Sequence, residues 1–349
     1  MYRLITPLIF IGLLTACIQN EPIKIAPNTT PADLNDGWQI STPKAENVNS
    51  LLLQKAIDYF FSGQYLVNSK GLLIAKNGKL ILEAYNKETK DRDQLQNIKS
   101  VTKSLTSIVT GIAIQDGILD ANLHRTVYSY IPENFDNHKE KRNITLEHCL
   151  RMSTGLEDPI YAISVVLPGN SVSSCLGVNL THAPGITHAY NNGSANIIGG
   201  VISKASGTTY ENYVREKLFK PLNISNYHWV KHQDGRVNAA FDLYLLPRDV
   251  LKFGQFCLQN GSWNNQQLLP TGWIVQSTQP LEDGFDGKFG YHWWIDTKHN
   301  GFYANGHGGQ HVFVFPQQDL VIVHIAEPST DDTNLNEIPV LLDLIMAAM

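Results

Sequence analysis

Gly71-Leu-Leu-Ile-Ala-Lys-Asn77-Gly78-Lys-Leu-Ile-Leu-Glu-Ala-Tyr85 is the stretch on which the fold class turns. Two apolar runs, Leu72–Ile74 and Leu80–Leu82, flank an Asn-Gly dipeptide that accepts the positive φ angles of a type I′ turn, so the spacing predicts a β-hairpin. A lone hairpin is marginal in water and needs further strands. Those come only near the other end of the chain, at Tyr291–Ile295, His311–Phe315 and Leu320–Ile325. Helical patterns fill the rest: Val48–Phe61 (with Leu51, Leu52, Ala56, Tyr59 and Phe60 apolar), Ser100–Asp116, a segment after Thr145 ending near Gly155, Gly193–Ser203, Tyr210–Leu218, and a last helix from about Leu335. Early and late strands therefore belong in one antiparallel sheet flanked by helices, with a mostly helical lobe inserted between them, an α/β (α+β) architecture. The α/β lobe is expected over about 48–116 and 270–349 and the helical lobe over about 117–269. The cleft between two such lobes is the expected place for a site.

The helix after the hairpin carries the first chemistry. Val101, Leu105, Ile108, Val109 and Ile112 form one apolar stripe, and Gly117 stands where the helix should stop. Ser100-Val-Thr-Lys103 opens it, and residues three apart share a helix face, so the Lys103 amine can approach the Ser100 hydroxyl. Free N–H groups and the dipole at this terminus favour negative charge near Ser100, while burial favours a neutral Lys103 able to act as base. A second S-x-x-K, Ser41-Thr-Pro-Lys44, fails on context because Pro43 opposes a continuous helix. Tyr190-Asn191-Asn192 follows the Pro184-Gly185 loop and offers a phenol as proton shuttle. Tyr210-Glu-Asn212 and Tyr303-Ala-Asn305 share that spacing; the first reads as buried in a helix, and the second stays open. Gly306-His307-Gly308-Gly309-Gln310 enters the strand at His311, where glycines admit close approach of a substrate. The Gln310 N–H could then join that of Ser100 as an oxyanion hole.

In this order the motifs resemble the serine β-lactamase and penicillin-binding-protein superfamily, for which S-x-x-K is a signature. The chain is most similar to the class C branch and its esterase and 6-aminohexanoate-dimer-hydrolase relatives, in which S-x-x-K is followed by Y-x-N and then a K-T-G or H-x-G strand. Arg151-Met-Ser-Thr-Gly-Leu156, Leu246-Pro-Arg-Asp-Val250 and Phe289-Gly-Tyr-His-Trp-Trp294 also look like family segments, so the resemblance runs from about Gly71 to Ile325. It implies that Ser100 is the acylated nucleophile, that Lys103 and Tyr190 activate it, and that Asn192 orients substrate or Lys103. It also implies that the substrate region includes His307, Gly309 and Gln310. His307 stands where β-lactamases have a lysine for the substrate carboxylate, and a neutral His gives that up. Weight shifts toward carboxylesters, amides or small peptide-like substrates. The alternatives are β-lactamase or DD-peptidase activity, or a non-catalytic envelope protein that binds peptidoglycan fragments or β-lactams.

Composition fits a folded enzyme: 43% hydrophobic and 17% charged residues among 349, with a net charge of −5 that argues against nucleic acid as a partner. No G-x-S-x-G elbow supports an α/β-hydrolase, and no HExxH or CxxC pattern supports a metal; no cofactor is expected. Residues 1–16 read as a signal peptide whose apolar run, Leu4–Leu14, is too short to span a bilayer. Leu14-Thr-Ala-Cys17 resembles a lipobox, so Cys17 is expected to carry a lipid, residues 17–47 to form a tether, and 48–349 the enzyme domain. That predicts a bacterial envelope protein anchored to a membrane on the periplasmic side. Cys149, Cys175 and Cys257 leave an odd count and specify no disulfide.

Overall fold

The computed structural model describes residues 29–86, 89–158, 167, 169–281, 284, 287–327 and 336–349. The signal peptide, Cys17 and tether residues up to 28 lie outside them. No helix among the described residues is long and apolar enough to cross a membrane.

The predicted hairpin forms as β2 (Ser69–Lys76) and β3 (Lys79–Tyr85), and Asn77 and Gly78 turn with φ of 53° and 73° as the dipeptide requires. Late strands join early ones. With β1 at Gln39–Ile40, β4 at Trp294–Asp296, β5 at Gly301–Gly306, β6 at Gln310–Phe315 and β7 at Leu320–Ala326, the seven-stranded order is β1-β3-β2-β7-β6-β5-β4. Every pairing is antiparallel except β1 with β3. Both faces are covered, which is why the central strands read as unbroken apolar runs rather than as alternations. On one face Leu72, Ile74, Phe313, Phe315 and Ile322 pack on α1 (Ser50–Phe60) and α9 (Ile338–Met346). On the other, Leu73, Val312, Val314, Val321 and Val323 meet α2 (Val101–Gln115) and α7 (Pro247–Leu258).

Several details depart from expectation. In α1 the buried stripe is Leu53, Ala56, Ile57 and Phe60, and Leu51 is 82% exposed. Docking on the sheet sets the phase, and this i, i+3, i+4, i+7 series gives the continuous seam. The strand expected at Tyr291–Ile295 begins only at Trp294, because His292 takes φ of 63° and turns the chain. The helix after Thr145 stops at Leu150 rather than near Gly155, with Met152 at φ of 54° just beyond it. Strand β5 and helix α7 were not foreseen, and α7 packs on the sheet although it falls within the stretch expected to be the helical lobe.

The tether expectation is corrected from Thr29 onward: residues 29–47 are docked on the domain. The Thr29 carbonyl accepts from the Glu83 N–H, and β1 pairs with Lys79 and Leu80. Arg248, itself 4% exposed, explains why. Its guanidinium makes a bidentate pair with Glu83 (2.9 and 2.6 Å), and two further donors go to Asp36 (3.0 Å) and the Ala32 carbonyl (2.8 Å). A buried guanidinium must satisfy all its donors, and the N-terminal segment supplies the missing acceptors.

Candidate active site

Ser100 precedes the first turn of α2, half-buried, with φ of −69° and ψ of −5°. Its side chain does not cap the helix. The N–H groups of Val101, Thr102 and Lys103 take the carbonyls of Ile98, Lys99 and Ser100, whereas the Ser100 N–H takes no carbonyl among the described residues. Lys99, immediately before it, is held at φ of 49°. Its N–H donates to Asn97 Oδ1 (2.9 Å), and its ammonium meets Asp242 Oδ1 (3.2 Å), which Asn97 also reaches (2.8 Å). A non-glycine residue in the left-handed region costs of order 1 kcal/mol and persists only where its surroundings over-determine it, as this bracket does.

Lys103 is 2% exposed. Its Nζ lies 3.1 Å from Ser100 Oγ and 3.0 Å from the Ala240 carbonyl, with the Tyr190 ring centroid at 4.9 Å and that of Phe241 at 5.3 Å. Tyr190 reaches this spot because the residues around it are pinned. The Ala189 N–H donates to the Met152 carbonyl, and Asn191 caps α5 (Asn192–Ser206) through Ser194 N while its Nδ2 donates to the carbonyls of Leu156 and Glu157. Together Ser100, Lys103, Ser104, Met152, Tyr190, Phe289, His292, Trp294 and Asn305 line a narrow cleft. Tyr303, left open by spacing, is not among them; it stacks on Trp294 and Phe313 over a different cavity, beside α9. Tyr210 is buried in a helix as expected.

The remaining sequence-derived site residues fall elsewhere. Asn192 turns to Asp158, donating its N–H (3.1 Å) and its Nδ2–H (2.6 Å). His307 is exposed in the β5–β6 turn, and the Gly309 carbonyl accepts from His324 Nδ1 (2.6 Å). Gln310 is buried with its side-chain amide clamped to Ala326, donating to its carbonyl (2.7 Å) and accepting from its N–H (3.2 Å). None of these four lines the cleft; the strand residues that do are Trp294 of β4 and Asn305 of β5. The turn closes at Gly306, where the Gly309 N–H meets the Gly306 carbonyl, so residues 307–309 stand beyond the sheet. Gly306 itself abuts the segment that leads into Ser100: a Cβ there would sit 2.6 Å from the Ile98 carbonyl oxygen and 3.1 Å from the Lys99 Cβ. Gly306→Ala is therefore expected to displace Ile98–Ser100 and lower kcat about tenfold or more, since misplacement near 1 Å can cost two orders of magnitude. Steady-state kinetics beside a melting curve checks this; unchanged kcat in a folded variant would show that the contact is slack.

Met152, Phe289, His292, Trp294 and Asn305 were not foreseen. The family-like segments Arg151–Leu156 and Phe289–Trp294 marked the region, but no reactive spacing identified the side chains. His292 is 2% exposed and joins two helices: its ring nitrogens lie 3.1 Å from the carbonyls of Lys103 and Cys149, and its own carbonyl accepts from Ser104. Two carbonyls favour the imidazolium, but complete burial outweighs them and lowers the pKa to about 4. Burial likewise lowers His311 to about 3 and His324 to about 4. In the unfolded chain these rings take protons near pH 6.5. Between that pH and the folded values the unfolded state binds more protons, so stability falls as pH drops, by up to about 1.4 kcal/mol per group per pH unit. The melting temperature is expected to decline steadily from pH 7 to 4.5; a flat profile would contradict neutral burial.

No cluster of three or more His, Cys, Asp or Glu side chains suited to a metal occurs among the described residues. Cys149, Cys175 and Cys257 are buried and unpaired.

The chain is similar to known proteins in sequence and in fold. The chain is 26% identical over 227 residues to Protein flp of Staphylococcus aureus (strain MRSA252), covering 60% of this chain and 43% of that one. It is 26% identical over 228 residues to a β-lactamase of Yersinia enterocolitica, covering 57% and 53%. The chain thus matches about half the length of these curated relatives or less. Among solved structures, a Bacillus anthracis protein assigned as a 6-aminohexanoate-dimer hydrolase superposes with a TM-score of 0.68 at 22% identity, covering 80% of this chain and 78% of that one. A penicillin-binding protein from Bacillus halodurans gives 0.64 at 16%, covering 82% and 98%. These likenesses show the fold. The Beta-lactamase family model matches residues 63–335. Since that match takes in well over half of the 349 residues, and Ser100, Lys103 and Tyr190 all lie inside it, the chain belongs to the β-lactamase family of serine hydrolase-like proteins.

Proposed function

We propose that the protein is a serine hydrolase that forms a covalent acyl-enzyme on Ser100 and cleaves a carboxylester, a neutral amide or a small peptide-like substrate. The observation that carries this reading is the 3.1 Å approach of the Lys103 amine to Ser100 Oγ in a buried setting. Lys103, with Tyr190 beside it, takes the Ser100 proton during attack and returns one to the leaving alkoxide or amine; water then repeats the sequence in reverse. The Ser100 N–H serves as one oxyanion donor. The second donor is assigned to the open edge of β5: β4 pairs with it only over Gly301–Tyr303, and Asn305 lies past the end of that pairing, in the cleft wall.

The cleft wall favours neutral substrates. Apart from Lys103, already committed to Ser100 and Ala240, no cationic side chain lines it among the described residues, and His307 is out in solvent. A substrate carboxylate would have no counter-charge there, which weighs against efficient penicillin turnover.

A fluorophosphonate or activated ester is expected to leave its adduct on the peptide containing Ser100, read by mass spectrometry. A panel of short-chain esters, chromogenic lactams and D-amino-acid amides then ranks substrates, with esters expected to lead. An adduct found only on another residue overturns the nucleophile, and saturable binding without hydrolysis of any panel member would make the protein a binder.

A further inference from the structure

The acceptor that Lys103 uses is itself held from behind by side chains that never reach the cleft. Residues 239–241 lie outside helix and strand, yet Ala239 and Ala240 are 1% and 0% exposed, so their backbone groups need partners inside the protein. Two asparagine side chains supply them. Asn196, one turn into α5, accepts the Ala239 N–H on Oδ1 (2.9 Å), and Asn238 accepts the Ala240 N–H on Oδ1 (3.0 Å). The two amides are joined, Asn196 Nδ2 donating to Asn238 Oδ1 (3.2 Å). Behind them, His232 Nδ1 accepts the Leu167 N–H (3.1 Å); that leaves Nε2 as the protonated nitrogen, donating to Asn196 Oδ1 (3.2 Å). On the other side the Ala239 carbonyl accepts from Thr106 Oγ1 of α2 (2.8 Å). With the Ala239 carbonyl and the Ala240 N–H both pinned, the peptide plane between them is fixed, and only the φ and ψ of Ala240 separate it from the next plane, which carries the Ala240 carbonyl.

That carbonyl points at Lys103 Nζ, 3.0 Å away. We propose that Asn196 and Asn238 are positioning residues for the Lys103 amine, aiming it at Ser100 through the Ala239–Ala240 backbone; the inference rests on Lys103 acting as the base. Both asparagines are buried, at 4% and 0% exposure, and neither lines the cleft. Their route to the Lys103 amine runs through that backbone, while Asn196 Nδ2 also meets the Asn192 carbonyl within α5 (3.3 Å). The geometry calls for amides rather than hydroxyls or carboxylates, because Asn196 must accept from Ala239 and His232 while donating to Asn238.

The test is a double-mutant cycle read as the rate at which a fluorophosphonate labels Ser100. Asn196→Leu is expected to slow labelling roughly 10–100-fold, the scale of a small misplacement of a reacting group. In a Lys103→Met background the same change should cost less than about twofold, because the group it positions is gone. A residue that merely supports the fold would cost the same in both backgrounds, and that result, or parental labelling by Asn196→Leu, overturns the proposal. Should Asn196→Leu fail to fold, Asn196→Asp keeps the acceptor for Ala239 and His232 and loses the donor to Asn238 together with that to the Asn192 carbonyl (3.3 Å). It should slow labelling a few-fold, again only when Lys103 is present; an equal loss in both backgrounds refutes the assignment. If the parent protein itself is not labelled at Ser100, the hydrolase reading fails instead. A crystal structure of the Asn196 variant then still decides the network: the Lys103–Ala240 contact is expected to open beyond hydrogen-bond range, and its survival overturns the proposal.

Discussion

Replacing Lys103 by Met is expected to slow acylation by roughly 10³–10⁴ while leaving the fold intact, the upper part of the range for losing a general base. The amine lies within hydrogen-bond reach of Ser100 Oγ, at 3.1 Å. No described histidine or carboxylate lining the cleft can stand in, because both ring nitrogens of His292 face the backbone carbonyls of Lys103 and Cys149 rather than Ser100. Met keeps most of the volume of a side chain that is 2% exposed, so the core is not opened. Removing a buried amine also removes its desolvation cost, so melting should hold or rise. Single-turnover acylation by an activated ester, with KM followed separately, checks this. Binding should survive while the chemical step fails; a loss below tenfold would take Lys103 out of the base role.

Tyr190→Phe is expected to cost about 10²–10⁴ in the same step, the range for a general acid–base group. The substitution isolates the hydroxyl. The ring face that meets the Lys103 amine at 4.9 Å is retained, and the hydrogen bonds that pin its neighbours run through Ala189 and Asn191 rather than through Tyr190. Esters and amides should respond differently. An amide leaves as a strongly basic amine and depends on a delivered proton, so its loss should exceed that of an ester with an acidic alcohol. Equal, small losses for both would remove the phenol from proton transfer. Tyr303 offers no replacement, since it lies over the α9-side cavity.

Much of this was legible along the chain. Asn77-Gly78 dictates its hairpin locally, because few dipeptides tolerate two positive φ angles in succession. The pairing of Ser100 with Lys103 is likewise local, a consequence of helical spacing. The apolar runs at Leu320–Ile325 and His311–Phe315 identified core strands for the same reason: a strand covered on both faces has no room for polar residues. The N-terminal segment was misread because Pro, Asn and Thr spell a linker unless a buried Arg248 elsewhere lacks acceptors, and nothing near residue 30 reveals that demand. Gln310, read from the glycine-rich run, does not line the cleft whereas Asn305 does, because such a run does not show where its hairpin closes.

Residue type and short-range spacing marked the candidate groups, a hydroxyl and an amine one helical turn apart and a phenol at the head of α5, and a sheet built from the two ends of the chain. Tertiary packing decided everything that depends on direction. Which tyrosine faces the amine, which strand edge faces the serine, and which carbonyl receives Lys103 all follow from contacts between segments some 90 to 205 residues apart (Tyr190, Asn305 and Ala240 against Ser100 and Lys103). Spacing along a backbone carries the period of a helix or strand but not the angle at which two such elements meet.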